Sequence, residues 1–414
     1  MSPDVAEAVA AAFRAEWGRV VATLIRVTGD WDLAEECAQD AFAQALQRWP
    51  RDGIPDRPGA WLTTVARNRA TDRLRRAAVG AAKLREAAAM APEPFEPVAD
   101  DDVVSDDRLR LMFTCCHPAL AMEARVALTL RTLAGLTTAE IARSFLVPEQ
   151  TMSKRLTRAK HKIRHAGVPY RVPPAHLLPE RTPSVLAVLY LVFTEGYSAT
   201  AGPQLLRPAL SDEAIRLARV LVALMPDEPE ALGLLALMLL HDARRAARTD
   251  DAGELVPLPD QDRSSWDAAA IAEGAALLET ALRRRAPGPY QVQAAIAACH
   301  AQAADPADTD WLQIATLYGE LSRLTPSPVI ELNRAVAVGM ANGPAAGLAI
   351  VDRLAADGTL ADYHLLPATR ADLLRRLGRF DEAAEAYRRA LALAGTDAER
   401  RFLHQRLAEV SVPG

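Results

Sequence analysis

The stretch that decides the fold, residues 140–164, reads EIARSFLVPEQTMSKRLTRAKHKIR. Thr137 and Glu140 have the spacing of a capping box, so we expect a helix to begin there. Residues 146–147 are expected to form a turn. Pro148 suits the start of the next helix, because proline has no backbone N–H that would be left unpaired there. The stretch therefore predicts two helices joined by a short turn.

The second of these helices is strongly amphipathic. Its apolar residues recur along one face, at Met152, Leu156, Ala159 and Ile163. Short polar side chains near the N-terminus of a helix suit base edges, and cations further along suit phosphates. We therefore predict a helix-turn-helix whose recognition helix contacts DNA through Thr151, Ser153, Lys154, Thr157, Arg158 and Lys162.

Two other interpretations of the basic helix stay open. Most runs of charge are solvated faces of helical bundles, which need no ligand. Lipid headgroups are a weaker alternative, because the apolar stripe is needed for internal packing. Capping, turn and amphipathic pattern agree with each other, and that agreement favours DNA.

Two further amphipathic segments lie upstream. In WLTTVARNRATDRLRR, residues 61–76, the free face carries cations and one amide, which suits nucleic acid. The candidate residues on this segment are Trp61, Arg67, Asn68, Asp72, Arg75 and Arg76. In DWDLAEECAQDAFAQALQRW, residues 30–49, the pattern predicts a helix that suits a basic protein surface. Its outer face is expected to carry Asp32, Glu35, Glu36 and Asp40.

The composition is that of a globular protein. The chain has 414 residues, a formal net charge of -5 and 50% hydrophobic residues, enough for two or three domains. Its longest apolar run, residues 231–240, is about half of the roughly 20 residues needed to cross a bilayer. The N-terminus lacks a signal-peptide pattern. We therefore expect no membrane partner and a cytoplasmic location.

The cysteines do not predict a disulfide framework or a metal site. Cys37, Cys115, Cys116 and Cys299 are few and scattered, as in proteins of a reducing compartment. The pair before His117 lacks the two-residue spacing of a zinc knuckle. We expect buried thiols, no metal and no cofactor.

Apolar residues recur at three- and four-residue intervals throughout, and strand-like alternation is almost absent, so we expect an all-α fold. Proline-rich stretches divide the chain. The predicted parts are a helical block at 5–79, a flexible acidic linker at 80–105, a second helical block at 106–166, a proline-rich linker at 167–182 and a helical region at 183–414.

The C-terminal region shows weak self-similarity. LGRFDEAAEAYRRALAL, residues 377–393, has the spacing of a tetratricopeptide helix pair, and residues 339–355 resemble it at an offset of roughly 38. A stack of such pairs offers a concave surface for peptides or partner proteins, whereas plain helical packing needs no ligand. Both interpretations stay open.

One polar motif, DQDRSSW at residues 260–266, invites a search for catalysis. We expect Asp260, Asp262 and Arg263 to form an inter-domain ion-pair cluster, because no activated nucleophile or base accompanies them. The chain is therefore expected not to be an enzyme.

The first segments together resemble a known family. DLAEECAQDAFAQALQRW followed by WLTTVARNRATDRLRR is similar to region 2 of an extracytoplasmic-function (ECF) sigma factor of the sigma-70 family, and LVPEQTMSKRLTRAKHKIR is similar to region 4. The resemblance implies that the segment at 61–76 reads the melted minus-ten element and that the recognition helix reads the minus-thirty-five element. It also implies that core RNA polymerase is bound by Asp32, Glu36, Gln39 and Asp40.

The long C-terminal part resembles a subgroup of these factors with a tetratricopeptide-like extension, on FTCCHPAL, LYLVFTEGYSAT and LPDQDRSSWD. This resemblance implies control by the fused domain, with a regulatory protein as its candidate partner. The predicted function is a sigma factor that directs transcription initiation. The alternative is a stand-alone helix-turn-helix regulator with a repeat-domain sensor, which would have no use for an acidic polymerase-docking helix. A repeat scaffold without DNA would not explain the basic helices.

Overall fold

A computed structural model describes residues 3–86, 107–145, 147–197, 208–250, 256–395 and 397–411. These residues form α-helices and short 3-10 turns and no β-strand, which confirms the all-α prediction. They group into two compact units, Met1–Leu189 and Tyr190–Gly414.

The helices of the first unit are α1 (Pro3–Thr28), α2 (Trp31–Asp52), α3 (Pro58–Glu86), α4 (Asp107–Cys115), α5 (Met122–Thr132), α6 (Thr138–Ser144) and α7 (Glu149–His165). Helix α3 continues past the predicted boundary at Val79. The rest of the predicted acidic linker, residues 87–105, lies outside the described residues, as does Leu146 of the predicted turn.

Three helices, α1 to α3, form the N-terminal bundle. Phe13, Trp17 and Phe42 meet in its core, with ring centroids 5.0 to 6.1 Å apart. The alanines of α2 at positions such as Ala34 and Ala38 are fully buried, because small side chains allow α1 and α3 to approach this helix closely. This packing fixes which faces of α2 and α3 point outward.

Cys115 and Cys116 are buried, as expected, and so is Cys37, whereas Cys299 is half-buried. Burial raises the pKa of Cys116 to about 12, so this group stays a thiol at neutral pH. The described residues include no group of three His, Cys, Asp or Glu side chains arranged to hold a metal ion. In the same described ranges, no helix combines the length and apolarity needed to span a bilayer.

Helix α8 (Leu178–Tyr197) begins in the first unit and ends in the second. The second unit continues with α9 (Pro208–Leu224), α10 (Pro229–Asp242), α11 (Ala268–Arg283), α12 (Pro289–Gln302), α13 (Trp311–Leu324), α14 (Pro328–Asn342), α15 (Pro344–Asp357), α16 (Leu365–Arg376), α17 (Phe380–Leu393) and α18 (Asp397–Ser411). Five 3-10 turns also lie in the described chain, at Ala175–Leu177, Arg245–Ala247, Leu258–Asp260, Arg263–Ser265 and Pro306–Asp308.

The two self-similar segments occupy corresponding positions in helix pairs. Residues 377–393 cover the turn between α16 and α17 together with α17, and residues 339–355 cover the end of α14 and most of α15. Helices α14 and α15 touch at Gly339 and Gly347, where a Cβ on Gly347 would lie 2.6 Å from the carbonyl oxygen of Ala335. Glycine is therefore required at 347, because any side chain there would collide with the backbone of α14.

Candidate nucleic-acid interface

Helices α6 and α7 form the predicted helix-turn-helix. The hydroxyl of Thr137 accepts a hydrogen bond from the backbone N–H of Glu140 at 3.2 Å, and the carboxylate of Glu140 accepts one from the backbone N–H of Thr137 at 2.7 Å. This confirms the capping box. The backbone and hydroxyl hydrogen bonds from Thr137 lower the pKa of Glu140. Helix α7 begins directly after Pro148, as the proline pattern predicts.

The two faces of α7 are arranged as the sequence predicts. The buried residues are Met152, Leu156, Ala159 and Ile163. The predicted DNA-contacting side chains are exposed, at Thr151, Ser153, Lys154, Thr157, Arg158 and Lys162. These six side chains therefore lie on the solvent side of a helix whose other side is anchored in the core.

A groove of about 390 Å³ separates the outer face of α7 from the start of α5. Its wall on the α7 side is formed by Thr151, Lys154, Arg155, Arg158 and Lys162, and its other wall by Leu120, Ala121 and Ala124. The described residues that line it include four cations and no acid. A concave cationic surface of this kind attracts phosphate.

Two cations of α7 also have partners within the protein. The guanidinium of Arg155 lies over the ring of Phe145, 5.6 Å from its centroid. The ammonium of Lys160 is 2.8 Å from a carboxylate oxygen of Asp32 and 2.7 Å from one of Glu35. The Lys160 side chain is only 12% exposed, so it contributes to internal packing rather than to the free basic face.

Helix α3 has one buried and one exposed face. Leu62, Ala66 and Ala70 are fully buried. The exposed side chains include the predicted minus-ten residues Arg67, Asn68, Asp72, Arg75 and Arg76. The remaining candidate, Trp61, is half-buried and packs its ring against buried Trp49 at 5.7 Å between centroids. Trp61 is therefore partly a core residue, whereas the other five are free to contact a ligand.

The acidic helix α2 exposes Asp32, Glu36 and Gln39, and Asp40 is half-buried. Arg73 of α3 forms ion pairs with Glu36 and with Asp40, the second at 3.1 Å. The hydrogen bond from Arg73 lowers the pKa of Glu36. The role of Arg73 is visible only in the structure. Arg73 is one of several arginines on α3, and the sequence does not show which of them faces α2.

The prediction for Glu35 was wrong. Its side chain lies inside the first unit rather than on the outer acidic face, and the residue is 5% exposed. Its two carboxylate oxygens accept hydrogen bonds from Arg131 of α5 at 2.9 Å and from Lys160 of α7 at 2.7 Å. A buried carboxylate needs such partners. Here the two partners, Arg131 and Lys160, lie 96 and 125 residues further along the chain than Glu35.

The N-terminal bundle and the α4–α7 region are packed directly against each other. Besides the Glu35 contacts, Arg26 forms an ion pair with Asp107 at 3.0 Å. Gly18 faces Leu133 so closely that a Cβ would lie 2.8 Å from the carbonyl oxygen of Leu133. This contact is not predictable from the sequence pattern, because each region by itself has the pattern of an independent helical block.

The DQDRSSW motif does not form the predicted ion-pair cluster. Asp262 instead caps the short turn Arg263–Ser265, accepting hydrogen bonds from the backbone N–H and the hydroxyl of Ser264. Arg263 donates hydrogen bonds to the carbonyl oxygens of His300 and Ala303, both at 2.6 Å, and lies over the ring of Trp266. Backbone acceptors and an aromatic ring have taken the place of the expected carboxylates.

Comparison with protein families locates four parts of the chain. Residues 12–79 match Sigma-70 region 2, and residues 110–163 match Sigma-70, region 4. Residues 368–397 match a tetratricopeptide repeat, and residues 181–282 match a family of unknown function (DUF6596). The region 2 match holds α2 and most of α3, and the region 4 match holds the helix-turn-helix.

Individual relatives support the same assignment. The chain is 32% identical over 155 residues to the ECF RNA polymerase sigma factor SigK of Mycobacterium sp. (strain KMS), covering 36% of this chain and 78% of that protein. It is 30% identical over 149 residues to the SigK of Mycobacterium tuberculosis (strain ATCC 25177 / H37Ra), covering 36% of this chain and 79% of that protein. Over 400 residues it is 45% identical to an uncharacterized protein of Rhizobium meliloti (strain 1021), covering 94% of this chain and 92% of the relative.

These matches, together with the exposed faces of α3 and α7, define a sigma-70-type transcription factor. The chain belongs to the ECF sigma factor family. Its function is that of an RNA polymerase sigma factor in promoter recognition and transcription initiation, and the alternative of a stand-alone regulator is not supported. Sigma factors of this kind bind core RNA polymerase and promoter DNA and are not themselves catalytic.

Proposed function

We propose that the exposed faces of three helices divide the work of initiation. In this proposal α2 binds core RNA polymerase through Asp32, Glu36, Gln39 and Asp40. Helix α3 contacts the minus-ten element through Arg67, Asn68, Asp72, Arg75 and Arg76, with Trp61 at the edge of that surface. Helix α7 contacts the minus-thirty-five element through Thr151, Ser153, Lys154, Thr157, Arg158 and Lys162. The chain itself performs no catalysis.

The observation that carries this proposal is the exposed outer face of α7. Short polar side chains precede cations along it, and Thr151, Lys154, Arg158 and Lys162 of this face line a groove whose described residues include no acid. Hydroxyls near the start of a helix can reach base edges in the major groove, while lysine and arginine further along neutralise phosphates. The exposed face of α3 adds a second basic surface with an amide, Asn68, that can pair with an unstacked base.

Promoter binding by both helices requires the first unit to open. Elements centred near minus ten and minus thirty-five are about 25 base pairs apart, which is about 85 Å of duplex at about 3.4 Å per base pair. A compact unit of this length has a radius of gyration of only about 16 Å. Since Glu35 and Lys160 join the two regions at 2.7 Å, that contact must break before both elements can be bound together.

Run-off transcription with purified core polymerase tests the proposal. The wild-type chain is expected to support initiation, and the double variant Glu36→Lys with Asp40→Lys is expected to lose co-elution with core enzyme, with about 1–3 kcal/mol of binding free energy lost. Arg73→Ala is the matched control, because it removes the internal ion pairs and leaves both carboxylates in place. Unchanged co-elution of the double variant would contradict the assignment of α2.

The C-terminal region is proposed to regulate this activity. It contains a tetratricopeptide helix pair and forms a compact unit of its own, Tyr190–Gly414. Helical-repeat units commonly present surfaces for other proteins. We therefore propose regulation through this unit, with a regulatory protein as one candidate partner.

A further inference from the structure

The second unit contains a cavity that the sigma-factor function does not use. It has a volume of about 560 Å³, within the range of small-molecule sites. Its wall comes from the DQDRSSW motif, the end of α12, the start of α13, the outer side of α14 and the last residue of α16. The side chains that matter below are Arg263, His300, Trp311, Tyr318 and Arg376.

The charged side chains that line the described wall of the cavity are all positive. Two arginines line the cavity, and none of its described lining residues is acidic. By contrast, the neighbouring groove between α11 and α13 is lined by Glu279, Asp308 and Asp310 and by no Lys or Arg among the described residues. The arginine cavity therefore attracts anions, whereas the groove beside it repels them.

Among the residues that the structure describes, backbone carbonyls rather than a carboxylate hold Arg263 in place. One of its terminal nitrogens donates to two backbone carbonyls, and its Nε is buried with no hydrogen-bond partner in the described structure. Asp305 and Asp308 influence the guanidinium electrostatically, but neither lines this cavity. Burial lowers the pKa of Arg263, although an arginine remains charged in proteins. Because backbone carbonyls rather than a carboxylate hold this guanidinium, its positive charge is not neutralised by a direct partner and can attract an anion.

Arg376 is the second cation of the wall. Its Nε pairs with Asp372 at 2.7 Å, and its Nη1 faces the sulfur of Met340 at 3.0 Å. A thioether is a weak acceptor, so this donor is poorly satisfied. An anionic oxygen in the cavity would be a much stronger acceptor than the sulfur.

The rest of the wall is aromatic and apolar. His300 packs edge-on against Trp311, with centroids 5.2 Å apart, and Tyr318 lines the same space. Burial and the nearby guanidinium groups of Arg244 and Arg263 lower the pKa of His300 to about 4, so this imidazole is neutral at pH 7. The cavity therefore combines an uncharged aromatic wall with two guanidinium groups, of which Arg376 is also paired with Asp372.

From this combination we propose that the cavity of the repeat unit binds a small organic anion with a planar apolar body. Arg263 and Arg376 hold its anionic head, and Trp311 and Tyr318 pack against its body. Charge complementarity and volume select this class over a neutral ligand. The inference does not depend on the proposed promoter contacts, because it concerns binding to a different unit of the chain.

Calorimetric titration of the full-length protein tests the inference, with benzoate and phenyl phosphate as the anionic probes and benzamide as the neutral one. Both anions are expected to bind with one-to-one stoichiometry and to change tryptophan fluorescence, and benzamide is expected to bind about tenfold more weakly or not at all. The tighter of the two anions identifies a carboxylate or a phosphate as the preferred head group.

Arg376→Gln is the decisive variant, because Arg263 also anchors two carbonyls and its loss would disturb the fold. It is expected to weaken anion binding about tenfold, while benzamide binding stays unchanged. Arg219→Gln is the control, since Arg219 is exposed on α9 of the same unit and does not line the cavity. Equal anion affinities of wild type and Arg376→Gln would overturn the inference. So would the absence of saturable binding of either anion at about 10 mM.

Discussion

Arg158 and Lys160 lie two residues apart on α7 and face different surroundings. Arg158 is exposed on the groove side, and Lys160 is paired with Asp32 and Glu35 of the N-terminal bundle. A helical turn of 3.6 residues places positions i and i+2 on nearly opposite faces, which explains the difference. Cations in one run are therefore not equivalent, and only those on the free face are candidates for DNA.

Arg158→Ala is expected to weaken binding of a minus-thirty-five duplex by about 1–3 kcal/mol if the guanidinium contacts a base. If it contacts a phosphate, the loss is similar for every sequence and the salt dependence of binding becomes less steep. Fluorescence anisotropy at several salt concentrations measures both quantities. Arg171→Ala is the control, because Arg171 is exposed in the same unit but lies beyond α7. Equal affinities of wild type and Arg158→Ala would remove Arg158 from the interface.

At the scale of elements, the position of α7 depends on the short helix before it. Helix α6 spans only Thr138–Ser144, too few residues for a helix to be stable by itself. The capping box between Thr137 and Glu140 satisfies two N–H groups at its start, and buried Ile141 anchors it to the core. The cap therefore supports the recognition helix indirectly.

Thr137→Ala is expected to lower the free energy of unfolding by about 1 kcal/mol at pH 7, as measured by urea denaturation. Because the folded-state pKa of Glu140 is lowered, the ionised carboxylate stabilises the fold above its ordinary pKa of 4.5, and this contribution is lost as the pH falls through the lowered value. The difference between variant and wild type should therefore shrink in acid. Thr138→Ala, next to the cap but outside the box, is the control; an equal loss there would argue against the box.

At the scale of the whole molecule, the contact between the two sigma regions is the main feature of the first unit. Glu35, Arg131 and Lys160 form its buried centre. A buried ion pair that loses one partner leaves uncompensated charge, which costs about 3–5 kcal/mol. We therefore expect this group of charges to oppose the proposed opening of the unit.

Glu35→Gln is expected to shift the first unit toward the open state, because Arg131 then loses its ion pair with Glu35 and Lys160 keeps only the exposed carboxylate of Asp32. Resonance energy transfer between dyes on Gln47→Cys and His161→Cys, with Cys299→Ser as background, should decrease. Glu36→Gln is the matched control, since Glu36 is exposed and its ion pair in the described structure, with Arg73, lies within the N-terminal bundle. Identical transfer efficiencies in Glu35→Gln and wild type would contradict this role of Glu35.

Removal of the second unit tests the proposed regulation. A chain that ends at Leu189 keeps the whole first unit, including Tyr170, whose hydroxyl donates to the carbonyl oxygen of Ala22 at 2.8 Å. Run-off transcription should increase if the second unit is inhibitory and should disappear if it orders the sigma regions. Circular dichroism checks that the shortened chain is folded. Wild-type activity in vitro together with wild-type target expression in cells would show that the second unit has a separate function.

Much of this architecture follows from local sequence. The 3.6-residue periodicity predicts helices, Thr137 and Glu140 predict the start of α6, and the stripe from Met152 to Ile163 predicts which face of α7 is buried. The predicted proline-rich linker is not where the two units divide, because the division falls between Leu189 and Tyr190 within α8, and Tyr170 and Arg181 of that linker bind backbone carbonyls in the first unit. The periodicity, the capping box and the apolar stripe each depend on residues within a few positions of one another, so they can be predicted from the sequence alone.

The tertiary structure decided what depends on distant partners. The sequence pattern places Glu35, Glu36 and Asp40 on the same acidic face. In the structure Glu35 is buried with Arg131 and Lys160, whereas Glu36 and Asp40 pair with Arg73. The anion cavity likewise joins Arg263 to Arg376, which lie in different elements of the second unit. Such arrangements arise from packing between helices, and the one-dimensional pattern of charge does not specify which helix a side chain will meet.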